Sequence, residues 1–209
     1  MKKNGFTLIE MLVSTAIFTV VMVIALGALL SMSESDRKAQ TLKSVINNLN
    51  FSLDSISRAV RTGGGYHCGS SSGNDCTVPP GGTSFYFTPT GGGTVAYRFE
   101  NTTIDANAGT VCGQLTAIGC VARSTDGGTT WAAVTAPEVV ITNLSFYLLG
   151  SALGSTGDTY QPKLTILISG YVQFKGAGGA AACTSGASNA GASTCFNLQT
   201  SVTQRLYDQ

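Results

Sequence analysis

The sequence predicts an α+β protein in which one long N-terminal α-helix packs on an antiparallel β-sheet. Three observations lead to this prediction. The segment Met11–Met32 carries no charge and is mostly apolar, an amphipathic stripe continues from it as far as Thr62, and the remainder alternates short apolar runs with glycine-rich turns. The 209 residues are enough for one compact domain and one additional element.

The apolar segment Met11–Met32 is long enough to cross a membrane as a helix. At about 1.5 Å per residue it spans a hydrocarbon core of about 30 Å. Lys2 and Lys3 precede it, and positive charge before an apolar span keeps that end in the cytoplasm. A secretory signal peptide has a shorter apolar core that ends in small residues, and this segment has neither property.

Glu10 is the unusual residue of this region, because it stands at the entrance of the apolar span. A carboxylate close to hydrocarbon costs free energy unless a cation or a hydrogen-bond donor compensates it. No basic residue follows it before Arg37. The sequence therefore predicts that Glu10 finds its partner on another molecule.

The segment Gly5-Phe6-Thr7-Leu8-Ile9-Glu10 resembles the prepilin-type cleavage and methylation motif of type IV pilins and type II secretion pseudopilins. The resemblance implies that a membrane aspartic peptidase cuts after Gly5 and that the new N-terminal residue, Phe6, is N-methylated. It also implies that Glu10 meets the N-terminal ammonium of a neighbouring subunit in a filament. The alternative that stays open is an ordinary signal anchor that contains a glutamate.

Beyond Ser33 the helical pattern becomes amphipathic. No proline interrupts Phe6–Thr62, so one helix of about 57 residues, roughly 85 Å long, is predicted. The glycines of Gly63–Gly65 are expected to end it. The apolar positions form one stripe, which is expected to face the core: Leu42, Val45, Ile46, Leu49, Leu53, Ile56 and Val60.

The rest of the chain is predicted to form strands, antiparallel because the connections are short. Within Thr94–Glu100, alternation predicts one buried face with Val95, Tyr97 and Phe99 and an opposite face with Ala96, Arg98 and Glu100. The predicted strands are Ser84–Thr88, Thr94–Glu100, Leu115–Ala122, Glu138–Leu149, Lys163–Phe174 and Thr194–Leu206.

The cysteines indicate an oxidising compartment. Their even number, six, in a chain with an export signal suggests disulfides. Sequence alone leaves the connectivity open, and nearest-neighbour pairing is our expectation. The close couples are Cys68 with Cys76, Cys112 with Cys120, and Cys183 with Cys195.

The sequence predicts no enzyme, no cofactor and no metal site. His67 is the only histidine and stands beside Cys68, where a disulfide-capped loop is favoured over a Cys–His nucleophile. Asp126-Gly127-Gly128 is expected to be a turn rather than a calcium ligand, and Asp158 likewise. The sequence does not distinguish whether Trp131 is a surface anchor for a partner or a core residue. The charges are sparse and balanced, so no nucleic-acid partner is predicted.

The resemblance divides the chain into four parts. Residues 1–5 are the leader, 6–33 the transmembrane and assembly half of the helix, 34–62 its amphipathic half, and 63–209 a β-rich domain outside the cytoplasm. The implied location is the cytoplasmic (inner) membrane, as a single-pass protein, and then an extracytoplasmic filament. The implied partners are the membrane, prepilin peptidase, an inner-membrane assembly platform and other pilin or pseudopilin subunits. Small residues allow close helix packing against those subunits: Ser14, Thr15, Ala16, Ala25, Gly27 and Ala28.

The pilin-like layout further resembles that of a minor subunit, with the nearest likeness to J-type minor pseudopilins or W-type minor pilins. The segments that carry this likeness are Ile56–Arg61, Ser124–Trp131 and Pro137–Phe146. An alternative function is a membrane-anchored binding or adhesion module at a filament tip, which uses the pilin N-terminus only as an anchor.

Overall fold

A computed structural model describes residues 7–69, 75–101, 108–113, 119–151, 161–173 and 193–205. The chain divides into two compact units, Met1–Lys43 and Ser44–Gln209. Helix α1 (Leu8–Arg61) begins in the first unit and ends in the second. This long helix followed by antiparallel sheets confirms the predicted α+β class.

Local hydrogen bonds mark both ends of helix α1. At its N-terminus the Thr7 hydroxyl accepts a hydrogen bond from the Glu10 amide at 3.4 Å, and the Thr7 carbonyl accepts one from the Met11 amide. At its other end the Gly63 amide donates to the Val60 carbonyl at 3.2 Å. The predicted glycine stop is therefore confirmed. The predicted first helical residue, Phe6, lies outside the described residues.

The C-terminal part of helix α1 is amphipathic within the second unit. The buried apolar side chains are Val45, Leu49, Leu53, Ile56 and Val60, all of which the stripe predicted. The prediction was wrong for Ile46, which is 38% exposed. Ile46 follows Val45 directly, and a step of one residue turns a side chain by about 100° around the helix, away from the face that Val45 shares with Leu49.

We expect Leu49→Ala to lower the free energy of unfolding by about 2–5 kcal/mol, because Leu49 is 1% exposed and the substitution leaves a cavity. Phe51→Ala on the same helix is the matched control, because Phe51 is 75% exposed. It should change the stability by less than about 0.5 kcal/mol. Urea unfolding of the detergent-solubilised chain measures both values. Equal losses in the two variants would contradict the buried face.

The described strands form two antiparallel sheets rather than the single sheet that was expected. In chain order they are β1 (Gly64–Cys68), β2 (Ser84–Thr88), β3 (Val95–Glu100), β4 (Cys120–Ser124), β5 (Ala132–Ala133), β6 (Val139–Leu149), β7 (Lys163–Gln173) and β8 (Ser193–Thr203). The first sheet has the order β1-β2-β3-β4-β5 and the second β6-β7-β8. A short helix, α2 (Ala108–Cys112), lies between β3 and β4.

The predicted strands agree with β2, β3, β6, β7 and β8 to within about two residues at most ends. Leu115–Ala122 was placed too early, since β4 begins at Cys120, and residues 114–118 lie outside the described part of the chain. Strands β1 and β5 were not predicted. Two glycines open β1, and β5 has only two residues, so neither shows an alternating apolar pattern.

The predicted solvent face of β3 was wrong. Ala96 and Glu100 are completely buried, whereas Phe99 is only half-buried. Alternation identifies a solvent face only when one side of the sheet is open to water. Helix α2 contacts β3 and β4, so the second side of the sheet is covered as well.

The two sheets meet along β6. Cys76 pairs with Leu148 and Gly82 with Phe146 as isolated bridges, and the Ile141 amide donates to the Gly119 carbonyl at 2.9 Å. A Cβ atom on Gly119 would lie 2.0 Å from the Ile141 carbonyl oxygen, so only glycine fits this crossing. Aromatic rings fill the core between the helix and the sheets: Tyr66, Phe85, Phe87, Tyr97 and Phe146.

Candidate functional site

The first unit presents a helix whose apolar side chains are exposed. Sixteen large apolar residues between Leu8 and Met32 have between 47% and 83% of their surface exposed. Soluble monomers rarely expose contiguous apolar patches larger than a few hundred Å². By length and composition, this helix is able to cross a membrane. The exposed surface requires lipid or other apolar helices to cover it.

The hydroxyl groups in this segment are compatible with hydrocarbon. Ser14 donates to the Glu10 carbonyl at 2.7 Å, Thr15 to the Met11 carbonyl at 3.0 Å, and Thr19 to the Ala16 carbonyl at 2.8 Å. Each of these three hydroxyls therefore satisfies its donor within the helix, as a hydroxyl in lipid requires. Nothing lies within 4 Å of a Cβ placed on Gly27, so another helix has room to approach there.

Glu10 lies in the first turn of helix α1 with its side chain exposed. Negative charge at a helix N-terminus is favourable, because the first amide groups carry partial positive charge. Among the described residues its carboxylate forms no salt bridge within 4.0 Å. Gly5 and Phe6, the predicted cleavage and methylation residues, lie outside the described residues.

Residues 1–26 match the family described as "Prokaryotic N-terminal methylation motif". The match supports a type IV pilin or pseudopilin. It covers the predicted cleavage residues, Glu10 and most of the apolar segment. Comparisons with curated proteins and with solved structures found no match. This motif marks structural proteins of the pilin family.

Disulfides close two loops of the second unit. Cys68 is bonded to Cys76 and Cys112 to Cys120, with Cα–Cα distances of 6.1 and 5.7 Å. Both are nearest-neighbour pairs, as expected from the spacing. Cys195 is also disulfide-bonded, and Cys183 lies outside the described residues.

The bond to Cys76 occupies the sulfur that a Cys68–His67 nucleophile would need. The His67 ring stacks on Tyr86 at a centroid distance of 5.0 Å, and its Nδ1 lies 3.0 Å from the Gly69 carbonyl oxygen. His67 is therefore part of the edge of the first sheet. No cluster of three or more potential metal ligands occurs among the residues that the structure describes.

Asp75, which sequence reasoning missed, anchors the first disulfide loop. Its carboxylate accepts hydrogen bonds from the Gly150 amide at 3.0 Å and the Ser151 amide at 2.8 Å. The neighbouring residue, Cys76, pairs with Leu148 of β6. The loop is thus held at the end of β6 as well as by its disulfide. A lone aspartate in a polar segment gives no signal of this role in the sequence.

Asp126 organises the turn between β4 and Trp131, as expected for a turn aspartate. Its carboxylate accepts hydrogen bonds from the Ser124 and Thr130 hydroxyls, each at 2.6 Å, and from the Thr129 and Thr130 amides. Gly127 and Gly128 adopt positive φ angles of 74° and 102°. Asp158, the other predicted turn aspartate, lies outside the described residues.

Trp131 is half-buried against this turn. Its indole nitrogen donates to the Gly128 carbonyl at 2.9 Å, and the Arg98 guanidinium lies 4.1 Å from the ring centroid. Arg98 also donates to the completely buried Glu100 carboxylate. Trp131 is therefore neither a core residue nor a freely exposed anchor.

The pKa of Asp126 lies well below its ordinary value of 3.8, chiefly because the Ser124 and Thr130 hydroxyls hydrogen-bond its charged form. A lowered folded-state pKa stabilises the turn at every pH above the ordinary carboxyl value. This stabilisation is lost as the pH falls from about 4 towards the lowered value.

We expect the emission of Trp131, the only tryptophan, to be constant between about pH 7 and 4 and to shift to the red only as the pH falls further towards the lowered pKa of Asp126. Asp126→Asn should emit further to the red already at neutral pH, because the amide cannot accept all of these hydrogen bonds. Asp54→Asn, on the exposed face of helix α1, is the control that should behave as wild type. An unchanged spectrum of Asp126→Asn would contradict this account of the turn.

Proposed function

We propose that the chain is the precursor of a minor pilin or pseudopilin, a structural subunit of a type IV pilus or of a type II secretion-type filament. Prepilin peptidase cleaves it after Gly5, and Phe6 becomes the N-methylated first residue. The observation that carries the proposal is the match over residues 1–26, which runs without a break into an exposed apolar helix. The apolar helix that follows the motif is the membrane segment that cleavage and assembly require.

The mature N-terminus supplies the partner of Glu10. Methylation leaves the amine of Phe6 cationic, so a neighbouring subunit brings a positive charge to the entrance of the apolar segment. Opposite charges attract strongly where the surroundings exclude water, and an unpaired charge there is penalised. The exposed position of Glu10 in the isolated chain leaves its carboxylate accessible to such a neighbour.

We assign residues 1–5 to the cytoplasmic leader, 6–33 to the membrane and filament core, 34–62 to the amphipathic half of the helix, and 63–209 to a domain outside the cytoplasm. The basic residues Lys2 and Lys3 support this orientation. So do the disulfides Cys68–Cys76 and Cys112–Cys120, which persist in oxidising compartments.

The experiment that tests the proposal is mass spectrometry of sheared filaments from cells that produce the chain together with its peptidase and its inner-membrane assembly platform. We expect the chain in the filament fraction, starting at N-methylated Phe6 and present in minor amount relative to another subunit. A chain that stays in the membrane with residues 1–5 attached would refute the proposed function.

A further inference from the structure

The C-terminal end of helix α1 and the end of strand β8 form a polar cleft of about 520 Å³ within the second unit. Its lining contains three arginines, Arg58, Arg61 and Arg205. The whole chain has only 12 lysines and arginines, so a quarter of them line this one cleft. The described residues that line the cleft include no aspartate or glutamate: Arg58, Arg61, Thr62, Ser201, Val202, Thr203, Gln204 and Arg205.

Two of these guanidinium groups lack an anionic partner within the part of the chain that the structure describes. Arg58 forms a salt bridge with Asp54 at 2.8 Å, one helical turn earlier. Arg61 and Arg205 form no such bridge with any described residue, and both are exposed. Like charges around one cleft repel each other, and an anion placed between them relieves that repulsion.

The backbone holds these arginines in place. The Arg205 amide donates to the Arg61 carbonyl at 2.9 Å, which ties the end of β8 to the end of the helix. The buried side-chain amide of Gln204 donates to the Gly63 carbonyl at 3.0 Å, and the backbone amide of Gln204 donates to the Pro162 carbonyl at 3.1 Å. The cleft is therefore preorganised, and a ligand does not have to order the backbone when it binds.

We propose that this cleft binds a carboxylate-rich segment of a neighbouring filament subunit. Guanidinium groups recognise carboxylates through paired charge-assisted hydrogen bonds. The hydroxyl-bearing residues Thr62 and Thr203 add polar surface at the rim. The cleft thus acts as a contact for acidic protein, with Arg61 and Arg205 as its main anchors. The choice of a filament neighbour rests on the proposed function, whereas the choice of an acidic ligand rests on the cleft alone.

A protein partner fits the lining better than a nucleic acid does. Proteins that bind single strands combine a basic groove with aromatic rings on which bases stack. No aromatic residue occurs among the described residues that line this cleft. The net charge of +1 also provides no extended basic surface to follow a phosphate backbone.

The first arm of the test measures the ligand chemistry with the full chain in non-ionic detergent. A fluorescein-labelled hexaglutamate peptide should bind with an anisotropy change that higher salt weakens. The double variant Arg61→Gln/Arg205→Gln should bind about tenfold or more weakly, because it loses two charge-assisted contacts. The control Arg123→Gln removes an exposed arginine of β4 outside the cleft and should bind as wild type.

Equal binding by the double variant and wild type would overturn the proposal. Tighter binding of a single-stranded oligonucleotide of equal charge would overturn the choice of an acidic protein. Because this arm uses no filament, its result is independent of the proposed function.

The second arm identifies the partner. Thr203→p-benzoylphenylalanine places a photo-crosslinker in the cleft of the full chain, and Thr142→p-benzoylphenylalanine places it on the exposed side of β6 as the control. We expect the chain in the filament fraction to cross-link from position 203 to an Asp- or Glu-rich peptide of another subunit, and not from position 142. A cross-link to lipid or to a neutral peptide, or none from chains in that fraction, would overturn the proposed contact. Absence of the chain from the filament fraction would instead refute the proposed function.

Discussion

Gly5→Trp should leave the precursor uncleaved. Under the proposed function the scissile bond follows Gly5, which has no side chain, so the peptidase can approach this bond from any direction. A bulky ring at this position blocks that approach, and we expect no detectable mature chain in cells with active peptidase. Intact-mass spectrometry separates the precursor from the mature form, because cleavage removes Met1–Gly5 and methylation adds one methyl group.

Asn4→Ala is the matched control for this substitution. It changes the leader next to the scissile bond but keeps Gly5, and it should be processed as efficiently as wild type. Cleavage of Gly5→Trp at the wild-type rate would show that the glycine is not the recognised residue. The precursor should still insert in the membrane, since the apolar segment Met11–Met32 is unchanged.

Glu10→Leu should insert in the membrane and undergo cleavage but should fail to enter filaments efficiently. In the proposed pairing, the substitution leaves the N-terminal ammonium of the neighbouring subunit without its carboxylate in a site that excludes water. Removal of one partner of a buried ion pair costs about 3–5 kcal/mol, which corresponds to a loss of affinity on the order of a hundredfold or more. Quantitative immunoblots measure the ratio of the chain in the sheared-filament fraction to the chain in the membrane fraction.

Glu34→Leu is the matched control, because it removes a carboxylate from the same helix. Glu34 already has a partner in its own chain, Lys38, at 2.8 Å. Its contribution to assembly should therefore be small, and the variant should reach filaments at nearly the wild-type level. Normal incorporation of Glu10→Leu would refute the pairing with the neighbouring ammonium.

The elements that the sequence predicted best are those with a strong periodic signal. Helix α1 could be predicted because its apolar segment and its stripe follow the helical period without a proline, and because glycines end it. Strands β6 and β7 are long and rich in Val, Ile and Leu, so their positions were also clear. The motif residues around Glu10 could be recognised because their chemistry depends on a contiguous segment.

What could not be predicted depends on contacts between distant residues. The division into two sheets depends on close crossings such as that of Gly119 with Ile141, which no local pattern indicates. The burial of Glu100 depends on helix α2, which covers a face that alternation assigns to solvent. Likewise, the cleft could not be predicted, because Arg61 and Arg205 both line it but are far apart in sequence.

The disulfides Cys68–Cys76 and Cys112–Cys120 have a consequence for cleavage of the chain by proteases. Each bond spans a sequence separation of eight residues, so a single cut between its two cysteines leaves both fragments covalently joined. For the first loop, the carboxylate of Asp75 also keeps the cut end attached to β6. A nicked chain would therefore migrate as one species on a non-reducing gel and separate into two fragments only after reduction.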